Sequence, residues 1–337
     1  MTCILVMTVF AILKSAFTTG PVYVGNKWLT LFGNEHCMYL MLAPLFFYLG
    51  TSLCNIKVIE KAIGCYMLLS AWSLFVDGLA LLPIMWVAGV LFPYVDKKYR
   101  FLLLLALIES IYAGFFRAGT VRTQIIVIVV SFMSYYLPRY ASPKLLRSIC
   151  YSMVIIPLVY SAIMLVDPQF SVFDVILSYL DGQTGNQELI TDSRSFLFYE
   201  MSEDLTRNHA WILGKGASST YESSYFLSTN GEGDFHLRIV SEVTFLHLLM
   251  RGGIVYVALY FGAILYAIKK ALTNPKNKFV QSIAIMASGW LLVASFSSEM
   301  GTTLIHVAVY ALIGCCFSNN IVRMSDNNIK EVLKLRR

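Results

Sequence analysis

The sequence predicts an all-α polytopic membrane protein with about ten transmembrane helices and one large outer loop. Three observations lead there. The 337 residues are 57% hydrophobic and 14% charged, with a mean hydropathy of +0.66, where a soluble domain carries about 45–50% apolar and about 25% charged residues. The apolar residues come in blocks near the roughly 20-residue length that a bilayer core of about 30 Å demands. The lysines and arginines concentrate in every second connection between those blocks, the asymmetry that orients membrane helices. The same figures exclude two soluble domains, a disordered chain and a disulfide-rich secreted chain.

In chain order the candidate spans lie near 1–13, 37–54, 60–75, 77–95, 100–116, 121–138, 148–166, 253–268, 279–297 and 302–322. The first lacks a basic n-region, and Lys14 follows its apolar stretch, so it does not read as a cleavable signal peptide. With both termini placed in the cytoplasm, 17 of the 26 basic residues fall on the inner side, among them Lys57, Lys61, Lys97, Lys98, Arg100, Arg139, Lys144, Arg147, Lys269, Lys270, Lys276 and Lys278. Nine basic residues remain outside, against fifteen acidic ones. The formal net charge of +6 therefore reports topology and does not point to nucleic acid. The seven cysteines show no CxxC and no paired spacing in a polar loop, and they read as small hydrophobes.

Three regions follow: an N-terminal transmembrane bundle over 1–166, a large extracytoplasmic loop over 167–252, and a C-terminal bundle with a basic cytoplasmic tail over 253–337. A connection longer than about 12–15 residues is usually functional or disordered. This one carries twelve acidic residues and local structure. Residues 195–205 read as an amphipathic helix with Asp192 or Ser193 as N-cap. Residues 214–219 read as loop, and Glu242–Met250 as a short apolar helix broken at Gly252–Gly253.

Arginine on the outer side runs against the positive-inside bias, which singles out Arg122, Arg194, Arg238 and Arg251. A guanidinium holds its charge at any pH and binds phosphate oxygens in bidentate fashion. The competing reading makes each one an interfacial or acid-paired side chain, and it serves best for Lys14, Lys27 and Arg117. Arg238 and Glu242 stand four residues apart, as on one helical face. Glu242 and His247 are acid–base candidates, with an ion-pair partner and a packed histidine as the alternatives. Glu109 lies inside a span, where carboxylates mark function, though it stands near enough to the outer edge to snorkel. Glu232-Gly-Asp234-Phe-His236 offers three potential ligands but reads as solvated loop, so no metal is expected. A P-loop, a GxGxxG after a strand and an HExxH are all missing, and no cofactor is expected.

The order of these motifs resembles the bacterial O-antigen and capsule polymerases (Wzy-type) of the O-antigen polymerase/ligase superfamily. Gly119-Thr-Val-Arg122 is similar to the family's Gly-Ser-Arg element, and Asp192-Ser-Arg194 to its outer-loop arginine motif. Leu213-Gly-Lys215-Gly-Ala217 followed by Tyr221 is similar to its GxG…Y segment. Glu242 through Arg251-Gly-Gly-Ile-Val-Tyr256 is similar to the stretch that leaves the large loop. The resemblance spans about residues 100–320. It implies a GT-C-like architecture, and a donor and acceptor that are undecaprenyl-diphosphate-linked oligosaccharides. Catalysis is expected from Arg194, Arg238 and Glu242, and substrate binding from Arg122, Asp192, Lys215, Tyr221, His247 and Arg251. A chain-length regulator and a flippase are the partners it would bring besides the bilayer, in the bacterial cytoplasmic membrane.

Val240-Ser241-Glu242 stands where members near the ligases place a His-Asn pair, which favours a polymerase over an O-antigen ligase acting on lipid A core. A transporter or flippase is the rival of another class. Transporters favour repeated halves and broken helices near the midplane. Here the polarity is concentrated in one outer loop, with no internal repeat.

Overall fold

The structure, a computed structural model, describes residues 9, 13, 45–70, 84–116, 121–167, 195–223, 236–238, 241–273, 276–297 and 304–334. They are mostly helical. The first half contributes α1 (Phe46–Leu49), α2 (Leu53–Ser70), α3 (Met85–Leu91), α4 (Lys97–Phe116), α5 (Val121–Tyr140) and α6 (Pro143–Val166). Then come α7 (Ser195–Arg207), strands β1 (Tyr221–Ser223) and β2 (His236–Arg238), and α8 (Thr244–Thr273). The chain ends in α9 (Lys278–Ala294), α10 (Leu304–Cys315), α11 (Asn319–Arg323) and α12 (Asp326–Lys334).

Helix α9 is the hub, packing on α3, α5, α6, α8 and α10. Nearly all of it is buried. Ser282, Ala284, Ala287, Ser288 and Gly289 are small enough to let neighbouring backbones approach, as in helix packing that lacks a water-driven term. Trp86 of α3 and Trp290 of α9 meet edge to face at 5.0 Å, and Trp290 also meets Tyr310 of α10 at 5.9 Å. The Tyr260 hydroxyl donates to that of Tyr310 at 3.3 Å and accepts from the Trp290 indole at 3.5 Å, so these three rings pair their polar edges with one another.

Helices α6 and α8 are long and apolar enough to cross a membrane. Helix α6 turns Leu145, Ile155, Ile156, Val159 and Ile163 outward, the side-chain choice of a lipid-facing surface. Helix α9, with 17 residues, is at the lower limit of about 17 for a crossing, and α10, with 12, is shorter than one requires.

One end of the bundle is tied together by the basic connections. Arg147 donates to the carbonyls of Leu272 and Thr273 at 3.2 and 3.3 Å. Lys270 donates to the Phe317 carbonyl at 2.6 Å, and Lys330 lies over the Tyr94 ring. The Tyr94 hydroxyl donates to Asp326 at 2.8 Å. Helix α12 lays Ile329 and Leu333 inward and packs on α2. Asn277 is the central tie. Its side-chain oxygen caps α9 by accepting from the Val280 amide at 2.9 Å, while its amide group donates to the carbonyls of Ile321, Val322 and Met324. Loss of a cap costs about 1 kcal/mol, and buried acceptors left unpaired cost about 1–3 kcal/mol. Asn277→Ala is therefore expected to lower stability by about 2–4 kcal/mol, read as an earlier thermal unfolding midpoint in detergent.

Several boundaries differ from the sequence reading. The chain breaks at Gly50–Ser52, and α2 then runs unbroken through Lys57 and Lys61, which were placed in a connection between two spans. No glycine or proline lies between Leu53 and Ala62 to stop the helix, so charge alone does not interrupt it. The candidate span at 302–322 divides into α10 and α11 at Cys316–Ser318. The short helix read over 242–250 begins only at Thr244, but the break expected at Gly252–Gly253 is present, with Gly253 non-helical between it and the span read at 253–268. Cys54 and Cys65 are exposed on α2, whereas Cys150, Cys315 and Cys316 are buried. Most of the span at 1–13, residues 37–44 of the next, and residues 71–83 lie outside the described residues.

Candidate functional site

Helix α7 builds the floor of the region between α6 and α8. Leu197, Phe198, Met201 and Leu205 are buried on it, and so are Glu200 and Asp204 of the same inward face. His209 takes a left-handed conformation (φ 49°) just past the helix, and the Ala210 amide donates to the Leu205 carbonyl at 2.9 Å, a helix stop that turns the chain back. The next residues dock into the break in α8. The amides of Lys215 and Gly216 donate to the carbonyls of Met250 and Arg251 at 2.7 and 3.0 Å. In return, the amides of Ile254 and Val255 donate to the carbonyls of Trp211 and Ile212 at 2.8 and 3.2 Å. The backbone groups that the helix break frees are thus taken up by the loop, as a buried backbone requires.

Two buried cations clamp this joint. Lys215 donates to both carboxylate oxygens of Asp204 at 2.8 and 2.9 Å and to the Thr220 carbonyl at 2.7 Å. Burial pushes the Asp204 carboxyl above the ordinary carboxylate range, with the Lys215 ammonium pulling the other way. Arg251 donates to the carbonyls of Ala217 and Ser219 and, through Nε, to His247 Nε2 at 3.1 Å. The Ser241 amide faces Nδ1 of the same ring at 3.2 Å. Lys215, His247 and Arg251, proposed from the sequence to touch substrate, therefore lie buried behind the surface, where Lys215 ties the loop to α7 through Asp204, and Arg251, held by His247, ties it to α8.

The surface they support carries Arg238 and Glu242, while Tyr221, also proposed from the sequence to touch substrate, is buried beneath them at 1% exposure. Antiparallel pairing of β1 with β2 sets Tyr221 opposite Arg238. Arg238 approaches the Tyr221 hydroxyl at 3.5 Å and Glu242 Oε1 at 3.3 Å. Arg238 is 24% and Glu242 47% exposed, so both reach solvent. Burial pushes the Tyr221 phenol up to about 12, with Arg238 opposing the shift and Glu200 and Glu242 adding to it. Ser223 donates to the buried Glu200 at 3.1 Å from behind. Beside this group Arg207 joins Glu203 and Glu222 at 2.9 and 3.0 Å in an exposed ion-pair network.

The Arg238–Glu242 pair expected from the sequence is present, but on other elements. Arg238 ends a strand, and Glu242 stands in the turn before α8 rather than on one helical face with it. The Thr244 amide donates to the Ser297 carbonyl at 3.2 Å, and Thr123 Oγ1 lies 3.4 Å from Ser297 Oγ. The start of α5, where Arg122 lies, thus meets the end of α9 and the start of α8 within two residues of Glu242. The Arg122 and Glu109 side chains, the residues Asp192 and Arg194, and the 232–235 stretch lie outside the described residues.

Sequence reading missed Glu200, Asp204 and Ser223. The available signal was the spacing of Leu197, Met201 and Leu205, which puts Glu200 and Asp204 on the same inward side of α7. Among the described residues no group of three or more His, Cys, Asp or Glu is placed to hold a metal ion. The arrangement offers a half-buried cation and an open carboxylate on one rigid frame, with the buried Tyr221 phenol behind the cation: charge stabilisation and hydrogen bonding toward a polar ligand. Comparison with known proteins finds no matching family model, no matching curated protein and no matching solved structure.

Proposed function

We propose that the protein is a multi-pass membrane glycosyltransferase of GT-C-like architecture. It polymerises undecaprenyl-diphosphate-linked oligosaccharide repeat units into O-antigen or capsular polysaccharide at the outer face of the bacterial cytoplasmic membrane. The observation that carries the proposal is the half-exposed Arg238–Glu242 pair beside Tyr221, built on a buried and fully bonded frame. The gathering of Lys57, Arg147, Lys270 and Lys330 among contacts at one end of the bundle suits a cytoplasmic end with both termini inside.

In the proposed reaction an acceptor sugar hydroxyl attacks the anomeric carbon of the donor glycan. The bond from that carbon to the diphosphate oxygen breaks, and the electron pair leaves with undecaprenyl diphosphate. Glu242 takes the hydroxyl proton. Arg238 faces the negative charge that grows on the leaving diphosphate, with Arg194 and Arg122 as further members of the clamp. A diphosphate leaves without a nucleotide or a strong general acid, so the donor supplies its own activation. A flippase that delivers the donor and a chain-length regulator are the expected partners.

Extension of a purified lipid-linked repeat unit by the full-length protein in vesicles tests this. Arg238→Ala is expected to slow extension by about 10²–10³-fold, as loss of one preorganised charge does. Glu242→Gln is expected to slow it by about 10²–10⁴-fold with the protein still folded. Unchanged polymer length and yield in either variant removes that residue from the mechanism. Transfer of finished chains to lipid A core, with no extension, would instead make the protein a ligase.

A further inference from the structure

Trp211, Ile212 and Leu213 form an apolar tip in an otherwise polar loop, and the backbone around them leaves no freedom to hide it. The Trp211 and Ile212 carbonyls are engaged by the amides of Ile254 and Val255, and Gly214 sits against the helix break. Ile212 is 66% and Leu213 49% exposed. Ile254, the residue just past the break, is 53% exposed. The outward surface continues down α8 at four-residue intervals through Ala258 and Gly262 to Tyr266, which is 56% exposed. The tip is therefore the upper end of one continuous outward stripe.

The length of α8 says what covers that stripe. From Ile254 to Thr273 the helix extends about 30 Å, the thickness of a hydrocarbon core. Lys269 and Lys270 near its lower end suit the inner boundary, where long cationic side chains reach the headgroups. With Thr273 at the inner boundary and the Lys269 and Lys270 side chains reaching down to the headgroups, Ile254 stands at the outer edge of the hydrocarbon, and Ile212 and Leu213 stand beside it. Trp211 is half-buried and donates its indole N–H to Thr206 at 3.0 Å, an apolar ring with a bonded polar edge as found at membrane interfaces.

We infer that the Trp211–Leu213 tip is a wedge inserted among the lipid chains of the outer leaflet, and that it sets the height of the loop above the bilayer. Its occupant is lipid and not a second protein. The inference rests on the membrane embedding of α8 proposed above. Lys215 and the Arg251 backbone lie directly beyond the wedge, so the wedge holds the Arg238–Glu242 surface at headgroup level, where a lipid-borne diphosphate would sit.

The test places p-benzoylphenylalanine singly at Ile212, Tyr266 and Glu203 of the full-length protein in vesicles of phosphatidylethanolamine and phosphatidylglycerol. Adducts formed on illumination are read by mass spectrometry. Lipid adducts at Ile212 in a yield comparable with Tyr266, and none at the exposed, ion-paired Glu203, are the expected result. Adducts at Tyr266 without adducts at Ile212 overturn the wedge and leave the embedding of α8 standing. Absence of lipid adducts at both overturns the embedding as well. A protein–protein adduct at Ile212, to a second copy or to another chain, overturns lipid as the occupant.

Discussion

Gly253→Ala is expected to abolish the folded region between α7 and α8, with loss of the protein from the detergent-stable fraction. Gly253 has φ 66° and ψ −171°, a region that glycine alone occupies without strain. An alanine there costs about 1–3 kcal/mol in backbone conformation before any contact is counted. Its Cβ would also lie 2.3 Å from the Ile212 carbonyl oxygen and 2.6 Å from the Gly214 amide nitrogen. Both are backbone atoms held by hydrogen bonds, so no side-chain rotation relieves the clash. Gly214 is the reciprocal case, at φ 65°, where an added Cβ would stand 2.5 Å from the Gly252 and Gly253 amide nitrogens. Relief in either variant means withdrawing the loop, which strands the Met250 and Arg251 carbonyls in the interior. The combined penalty is a large part of a total stability of about 5–15 kcal/mol. The check is the yield of monodisperse protein by size-exclusion chromatography. Gly262→Ala serves as the control, since nothing lies within 4 Å of the Cβ it would add. Normal yield and thermal midpoint in Gly253→Ala would show that the two glycines are not interlocked.

Asp204→Ala is expected to cost about 3–5 kcal/mol, because it leaves the Lys215 ammonium buried without its counter-charge. The two side chains are 9% and 2% exposed, so water does not replace the lost carboxylate. Replacing both partners with apolar residues of similar volume, as in the double variant Asp204→Leu with Lys215→Met, is expected to recover most of that loss. The upward push of burial on the Asp204 carboxyl states the same balance: desolvating the pair is expensive even with the ammonium at 2.8 Å. The pair thus specifies where the loop docks more than it adds stability. Thermal midpoints of the single and double variants measure both effects, and a double variant no more stable than Asp204→Ala would remove the ion pair as the explanation.

Much of the fold is legible because membrane helices announce themselves by length and apolarity. Pro143–Val166 opens with Pro143 after a Ser142 cap that accepts from the Leu145 amide, a start the sequence itself signals. The basic connections likewise mark one end of the bundle, since their clustering needs no tertiary knowledge. The site is less legible. Arg238 and Glu242 are paired, but the pairing depends on a strand register between segments 13 residues apart, Ser223 and His236 being partners. Three-residue strands carry too little periodicity to be recognised alone. Lys215, His247 and Arg251 stand out in the sequence for their charge, yet local pattern cannot tell a cation that binds substrate from one that fastens a loop. That distinction lies in burial, which arises here from the contact of α7 and the 211–216 loop with a distant helix.

The exchange of backbone hydrogen bonds at the Gly253 break also implies an order of assembly. Residues 211–216 are synthesised before α8, so they must wait for it. In the membrane embedding proposed above, α8 has its break near the outer edge of the bilayer, with two carbonyls there that lipid cannot satisfy. Neither part is complete alone. Insertion of the helix and closure of the outer loop are therefore one coupled event late in biogenesis, and a chain truncated before Met250 should leave its loop without a docking partner even if every earlier helix is in place.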